Sequence, residues 1–158
     1  MGSGRRLAAV TVLALTLAAP VSASRGVSPG ALTDAASLTF TWPAQGTITT
    51  PFILHWHDGI DIGMLRSLTV RAAAAGTVEL VGQPTGFEGY GNIVLIRVTS
   101  TIETLYAHLS SWSVKPGDTV VAGQPIGIAG CTGICTGTHL HFEVRDSGVP
   151  VNPLQFLN

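Results

Sequence analysis

His139-Leu140-His141 is the segment of this chain with the plainest chemical potential. Side chains alternate along a strand, so the two imidazoles share one face while Leu140 and Phe142 point the other way, into a core. Two imidazoles on one exposed strand face suit a metal grip, or a metal ligand beside a catalytic base. Glu143 continues that face. A second segment, His57-Asp58-Gly59-Ile60-Asp61, places an imidazole and a carboxylate on either side of a glycine. Gly59 and the β-rich flanks predict a turn leading into a strand, not a helix. Two histidines and one aspartate make three protein ligands. They leave a fourth position open, which marks a catalytic zinc site, whereas structural sites are closed by four protein ligands. The third segment is Leu105-Tyr106-Ala107-His108-Leu109, where Tyr106 and His108 are expected to share a face at a strand end. Taken alone, His108 reads as a structural or surface residue, and the fifth histidine, His55, as a surface or turn residue.

Strands must position these groups. Short runs rich in β-branched residues recur at Thr77–Val81, Ile93–Val98, Ile102–His108, Thr119–Val121, Ile126–Ala129 and His139–Arg145. Gly82, Gly91, Gly117, Gly123 and Gly137 punctuate them, with Pro84, Pro116 and Pro125. No segment keeps a helical period over several turns, and the gaps are too short for repeated βαβ crossovers. The expected fold is all-β: a single compact domain of mostly antiparallel sheets, arranged as two layers or a half-open barrel. The segment from Val114 to Gln124 resembles the hairpin of biotinyl and lipoyl carrier domains. Lys115 precedes a proline and lacks the flanks of a modified lysine, so the likeness is read as shared turn chemistry.

The chain has 158 residues, enough for one domain. Hydrophobic residues make up 46% and charged residues 11%, which suits a buried core and argues against disorder. A net charge of −1 gives no electrostatic case for nucleic acid or an anionic membrane. Arg5 and Arg6, the apolar run Leu7–Ala19 and the small residues Val21-Ser22-Ala23 together describe a secretory signal over residues 1–23. The run is short of the roughly 20 apolar residues a membrane span needs. Residues 24–40 read as a linker or arm, and 41–158 as the folded domain. Export permits a disulfide between the two cysteines, Cys131 and Cys135, within a Gly- and Thr-rich loop.

The three histidine segments, in this order, resemble the lysostaphin-type peptidoglycan endopeptidases, the M23 metallopeptidase family. That family carries His-x-x-x-Asp, then a His closing a Tyr-Ala-His-Leu-like strand, then His-x-His. The likeness extends to Gly76-Thr77-Val78, Gly89-Tyr90-Gly91-Asn92, the Lys115–Gln124 hairpin, Thr132-Gly133 and Val151-Asn152-Pro153, and covers the chain from Thr41 onward. It implies that His57, Asp61 and His141 bind Zn2+ and that His108 and His139 are the two catalytic histidines. It implies a secreted peptidase, monomeric, whose partner is a peptidoglycan peptide of the cell wall, with no stable membrane association after signal cleavage. A non-catalytic wall-binding or amidase-activating module of the same fold is the alternative. Relatives of that kind generally lose metal ligands, and here the full set is present. Glu143 is expected to support a ligand or sit at the surface, because no helical His-Glu-x-x-His motif exists to make it a general base. Gly63–Thr69 lacks the Pro- and Gly-containing turn usual after the aspartate, and Pro51 and Phe52 stand where some relatives place a tyrosine. Substrate reach is expected from the loops Gly82–Gly89 and Ser110–Val114, with Tyr90 and Trp112 suited either to a groove or to packing.

Overall fold

A computed structural model describes residues 38–158. The expected signal segment and all but the last three residues of the expected arm lie outside them. The period-two alternation of β-branched residues is realised as eleven strands. They are β1 (Thr47–Thr50), β2 (Ile60–Gly63), β3 (Thr69–Arg71), β4 (Gly76–Gly82), β5 (Ile93–Arg97), β6 (Ile102–Ala107), β7 (Leu109–Trp112), β8 (Thr119–Val120), β9 (Pro125–Ala129), β10 (Leu140–Asp146) and β11 (Val149–Val151). An eight-stranded sheet runs β1-β2-β10-β6-β5-β4-β8, with β11 beside the far half of β10. A second sheet, β3-β9-β7, lies apart from it. All strand pairs are antiparallel. Each of the six expected runs coincides with a strand. The strand expected after the Gly59 turn is β2; those not anticipated, β1, β3, β7 and β11, have only three or four residues each, too few to display an alternation. Among the described residues, no helix is long and apolar enough to cross a membrane.

The two sheets share one core. Ile60, Ile62, Val94, Ile96, Tyr106, Leu140 and Phe142 of the large sheet pack with Val70, Leu109 and Ile126 of the small one. Burial of each such side chain contributes roughly 1.5–3 kcal/mol. The packed body includes Phe40, whose ring stacks on Phe156 at 5.3 Å and whose amide donates to the Phe156 carbonyl. The large sheet also has buried residues on its other face, where Ile93, Leu95, Leu105 and Ala107 form a second cluster covered by Leu80, Phe87 and Tyr90. That second face carries the site. In β2, Ile60 and Ile62 are fully buried and Asp61 between them points the opposite way. In β10 the apolar set Leu140, Phe142 and Val144 enters the core, so His141 and Glu143 face outward beside Asp61. Asp61 pairs with His141 and His141 with Ala107, one row across three strands. A slip of one residue between β2 and β10 would turn every one of these side chains to the wrong face, and the buried isoleucines forbid it.

Candidate functional site

Asp61 is the centre of the cluster. Its Oδ1 lies 3.2 Å from His57 Nε2 and 2.9 Å from His141 Nδ1. One donor atom from each of these three residues lies within 4.8 Å of the others, a spacing that one ion can bridge. Two imidazoles and a carboxylate are also the donor types that borderline divalent ions prefer. His57 reaches the cluster because the chain turns back at Ile53–His57, where Ile53 and His57 form an isolated bridge. His55 takes up a left-handed conformation at that turn, with φ 66°, and its side chain is exposed away from the cluster.

The outer nitrogen of each ring fixes its orientation. His57 Nδ1 donates to the Pro51 carbonyl at 2.8 Å, His108 Nδ1 to the Thr132 carbonyl at 2.8 Å and His139 Nδ1 to the Gly137 carbonyl at 2.7 Å. A carbonyl can only accept, so these three Nδ1 atoms carry protons, and in the neutral rings Nε2 holds the lone pair. His141 is turned the other way. Its Nε2 donates to Glu143 Oε1 at 3.0 Å and its Nδ1 faces Asp61. Glu143 Oε1 also accepts the phenolic proton of Tyr90 at 2.6 Å. Glu143 is fully buried, which removes the surface half of its expected role. Its Oε2 has no hydrogen-bond partner and lies 3.5 Å from Arg145 Nη1.

The charges respond to this packing. For Asp61, burial acts to raise the pKa, but hydrogen bonds from His141 and Thr50 and the charges of His141 and His57 hold it well below the usual carboxylate range. For His141, burial favours the neutral ring, yet the hydrogen bonds and charges of Asp61 and Glu143 lift its pKa to about 9. Burial lowers the pKa of His108, and the neighbouring His139 and His141 add to the effect. Burial and the Glu143 carboxylate together push the Tyr90 phenol upward.

His108 and His139 lie against each other at the rim, ring centres 4.7 Å apart, and His139 Nε2 is 3.6 Å from Asp61 Oδ1. The expectation that Tyr106 and His108 share a face does not hold. Strand β6 stops at Ala107, and His108 has φ 58°. That left-handed residue breaks the alternation. Tyr106 is fully buried against Phe142, while the His108 ring turns out into the cleft. A left-handed histidine costs about 1–2 kcal/mol. It is held by its own amide, which donates to the Tyr90 carbonyl, and by the Thr132 bond.

The cluster opens into a cleft of about 370 Å³. Besides the four histidines and Asp61, its walls include Trp56, Asp58, Glu88, Tyr90 and Ile134. Tyr90 therefore both lines the groove and packs. Trp112 and the rest of Ser110–Val114 are absent from the walls, because that segment is largely β7, paired with β9 in the second sheet. Trp56 and Ile134, which the sequence did not single out, are 74% and 83% exposed on separate segments of the rim. Cys131 and Cys135 are joined by a disulfide, as expected, with Cα atoms 5.5 Å apart.

Residues 55–153 match the family model described as Peptidase family M23. This chain belongs to peptidase family M23. The M23 chain is 46% identical over 116 residues to the DD-carboxypeptidase/endopeptidase Mpg of Neisseria meningitidis serogroup B, a match covering 68% of this chain and 26% of that protein. It is 36% identical over 121 residues to the murein hydrolase activator NlpD of Escherichia coli, covering 75% of this chain and 31% of that protein. The chain thus spans only about a quarter to a third of these curated relatives. Among solved structures it is similar to the catalytic domain of lysostaphin from Staphylococcus simulans, with a TM-score of 0.59 and 31% identity over 72% of this chain and 91% of that one. It is also similar to a zinc containing peptidase from Vibrio cholerae, with a TM-score of 0.63 and 32% identity over 72% of this chain and 39% of that one. The M23 match takes in every histidine and carboxylate of the cleft.

Proposed function

We propose that this chain is an exported zinc endopeptidase that hydrolyses peptide bonds in the stem peptides or cross-bridges of bacterial cell-wall peptidoglycan. The observation that carries the reading is the convergence of His57, Asp61 and His141 in an open cleft, with two further imidazoles at its rim. His57, Asp61 and His141 would hold the ion, and the names of the Vibrio cholerae and Neisseria meningitidis proteins support both zinc and this bond class. When bound, zinc supplies Lewis-acid polarisation of a carbonyl and makes water a nucleophile near neutral pH. The remaining work falls to the side chains. The depressed pKa of His108 keeps its Nε2 unprotonated at neutral pH, as a general base requires. His139 Nε2 points into the same space, where a protonated ring can donate to a developing oxyanion or to a leaving amine. Glu143 and the Pro51 carbonyl hold the ligand imidazoles in their tautomers.

Purified protein incubated with isolated bacterial cell walls tests this reading. New amino termini should appear, and a chelator should abolish their release. His139→Ala should retain the metal and lose hydrolysis by about 10²–10⁴-fold, whereas His57→Ala should lose both. Wall binding with no cleavage would instead place the chain with activating modules such as its Escherichia coli relative.

A further inference from the structure

Eight residues, Cys131–Thr138, connect Gly130, one residue past β9, to His139 without strand or helix, and most are exposed. Two carbonyls in this segment hold the two rim histidines. Thr132, inside the disulfide ring, accepts from His108 Nδ1, and Gly137, two residues past the ring, accepts from His139 Nδ1. The ring is also seated on the loop before β5 and on the start of β7. Ile134 N–H donates to the Gly89 carbonyl at 2.8 Å, Asn92 N–H donates to Thr132 Oγ1 at 2.9 Å, and Thr132 Oγ1 donates to the Leu109 carbonyl at 2.9 Å. The fit leaves no room, since a Cβ on Gly91 would lie 2.3 Å from the Thr132 carbonyl carbon. By contrast, His57 and His141 are held by Pro51 and Glu143, which lie outside this segment.

We propose that the Cys131–Cys135 disulfide is the positioning element for His108 and His139. By closing the ring around Thr132 it fixes the carbonyl that orients His108, and by anchoring Cys135 it holds the short run to Gly137, whose carbonyl orients His139. The ligand residues are indifferent to it. The inference rests on the hydrolytic reading given above. Opening the ring frees a glycine-containing loop to sample many conformations, so hydrolysis falls while the metal stays. Cys131 is exposed and Cys135 lines the cleft, so a reductant can reach the bond. A phosphine takes oxygen from one water to become a phosphine oxide, and the two sulfurs take that water's two protons as thiols. The bond is then open and both sides balance.

The test uses the zinc-loaded chain in three forms: disulfide-bonded, phosphine-reduced, and Cys131→Ser/Cys135→Ser. Three readouts are compared: zinc stoichiometry, kcat and KM on solubilised cell-wall peptidoglycan, and the imidazole 15N resonances of each histidine. In the open forms zinc should remain at one per chain, KM should change by less than about twofold, and kcat should fall at least about tenfold. The 15N signals of His108 and His139 should leave the Nδ1–H pattern, while those of His57 and His141 stay. Unchanged kcat and unchanged His108 and His139 signals in the open forms overturn the proposal, as does loss of zinc on opening. If the double variant does not fold, the reduced natural chain carries the same three readouts. If the disulfide-bonded chain itself cleaves no wall, the hydrolytic reading fails, and the 15N comparison still decides whether the ring orients the two histidines.

Discussion

His141 donates its Nε2 proton to Glu143 across 3.0 Å, from two residues away on the same face of one strand. Tyr90 bonds the same carboxylate oxygen, so Glu143 is clamped from two sides with no exposure to water. An imidazole held this way presents Nδ1 to Asp61 and the proposed metal position, and a partner of this kind typically adds 10–100-fold in metal affinity. Glu143→Ala should weaken zinc binding by about that factor, measured by competition with a chromogenic chelator. Glu143→Gln keeps an oxygen that can accept from both neighbours and should recover most of the loss. Equal losses in both variants would show that charge, not orientation, is what His141 needs.

With His141 as a ligand, as proposed, the same pair should make metal binding depend on pH. In the metal-free protein the His141 pKa is raised from 6.5 to about 9. A raised pKa means that the stabilisation from this ring is complete below the unfolded value of 6.5 and is lost as pH rises through about 9. Asp61 has the opposite sign, with a contribution present above 3.8 and lost as pH falls toward its depressed native value. The metal-free chain should therefore resist urea best between these limits and weaken toward pH 9. A metal must displace the Nδ1 proton of His141, so zinc affinity should climb by about tenfold per pH unit from about pH 6.5 to 8. Flat affinity over that range, measured by the same chelator competition, would contradict the coupling.

Tyr106 offers a stability test remote from the metal. Its hydroxyl accepts the Ala73 amide proton at 2.7 Å and donates to Thr104 Oγ1 at 3.1 Å, all inside the core. Tyr106→Phe leaves the Ala73 amide buried without a partner, a penalty of about 1–3 kcal/mol. The urea midpoint should fall with no change in m, and zinc stoichiometry should stay at one.

The parts of the site that follow from alternation were legible in the sequence, and those that depend on distant chain were not. His139, His141 and Glu143 are two apart, so their common face follows from strand geometry alone. That this face lies opposite the core follows from Leu140 and Phe142 being apolar between them; the burial of His141 and Glu143 does not. Asp61 was readable for the same reason, lying between two isoleucines. His108 was misplaced relative to Tyr106 because one left-handed residue reverses the face, and a histidine gives no sign that it will adopt that conformation. Tyr90 reaches Glu143 across 53 residues, and Thr132 reaches His108 across 24. Such pairings arise from how loops cross the sheet, and no local pattern encodes them. The short strands β1 and β3 were likewise invisible, because their pairing is set by partners elsewhere in their sheets.

The cleft walls bear on which substrate groups are gripped. Trp56 and Ile134 stand on separate segments, one beside His57 and one inside the disulfide ring, and both are more than two-thirds exposed. Neither supplies a donor atom to the proposed metal set, so their loss should spare both zinc binding and the chemical step. Each large apolar side chain that a substrate covers is worth about 1.5–3 kcal/mol when fully buried. Partial cover on an open rim yields less. Trp56→Ala and Ile134→Ser should each raise KM by about 3–10-fold with kcat nearly unchanged, as expected for contacts made equally in ground and transition states. The two losses should add in the double variant, because the side chains lie on different walls. A fall in kcat with KM unchanged would mean that these residues hold His108 and His139 in place instead of the substrate.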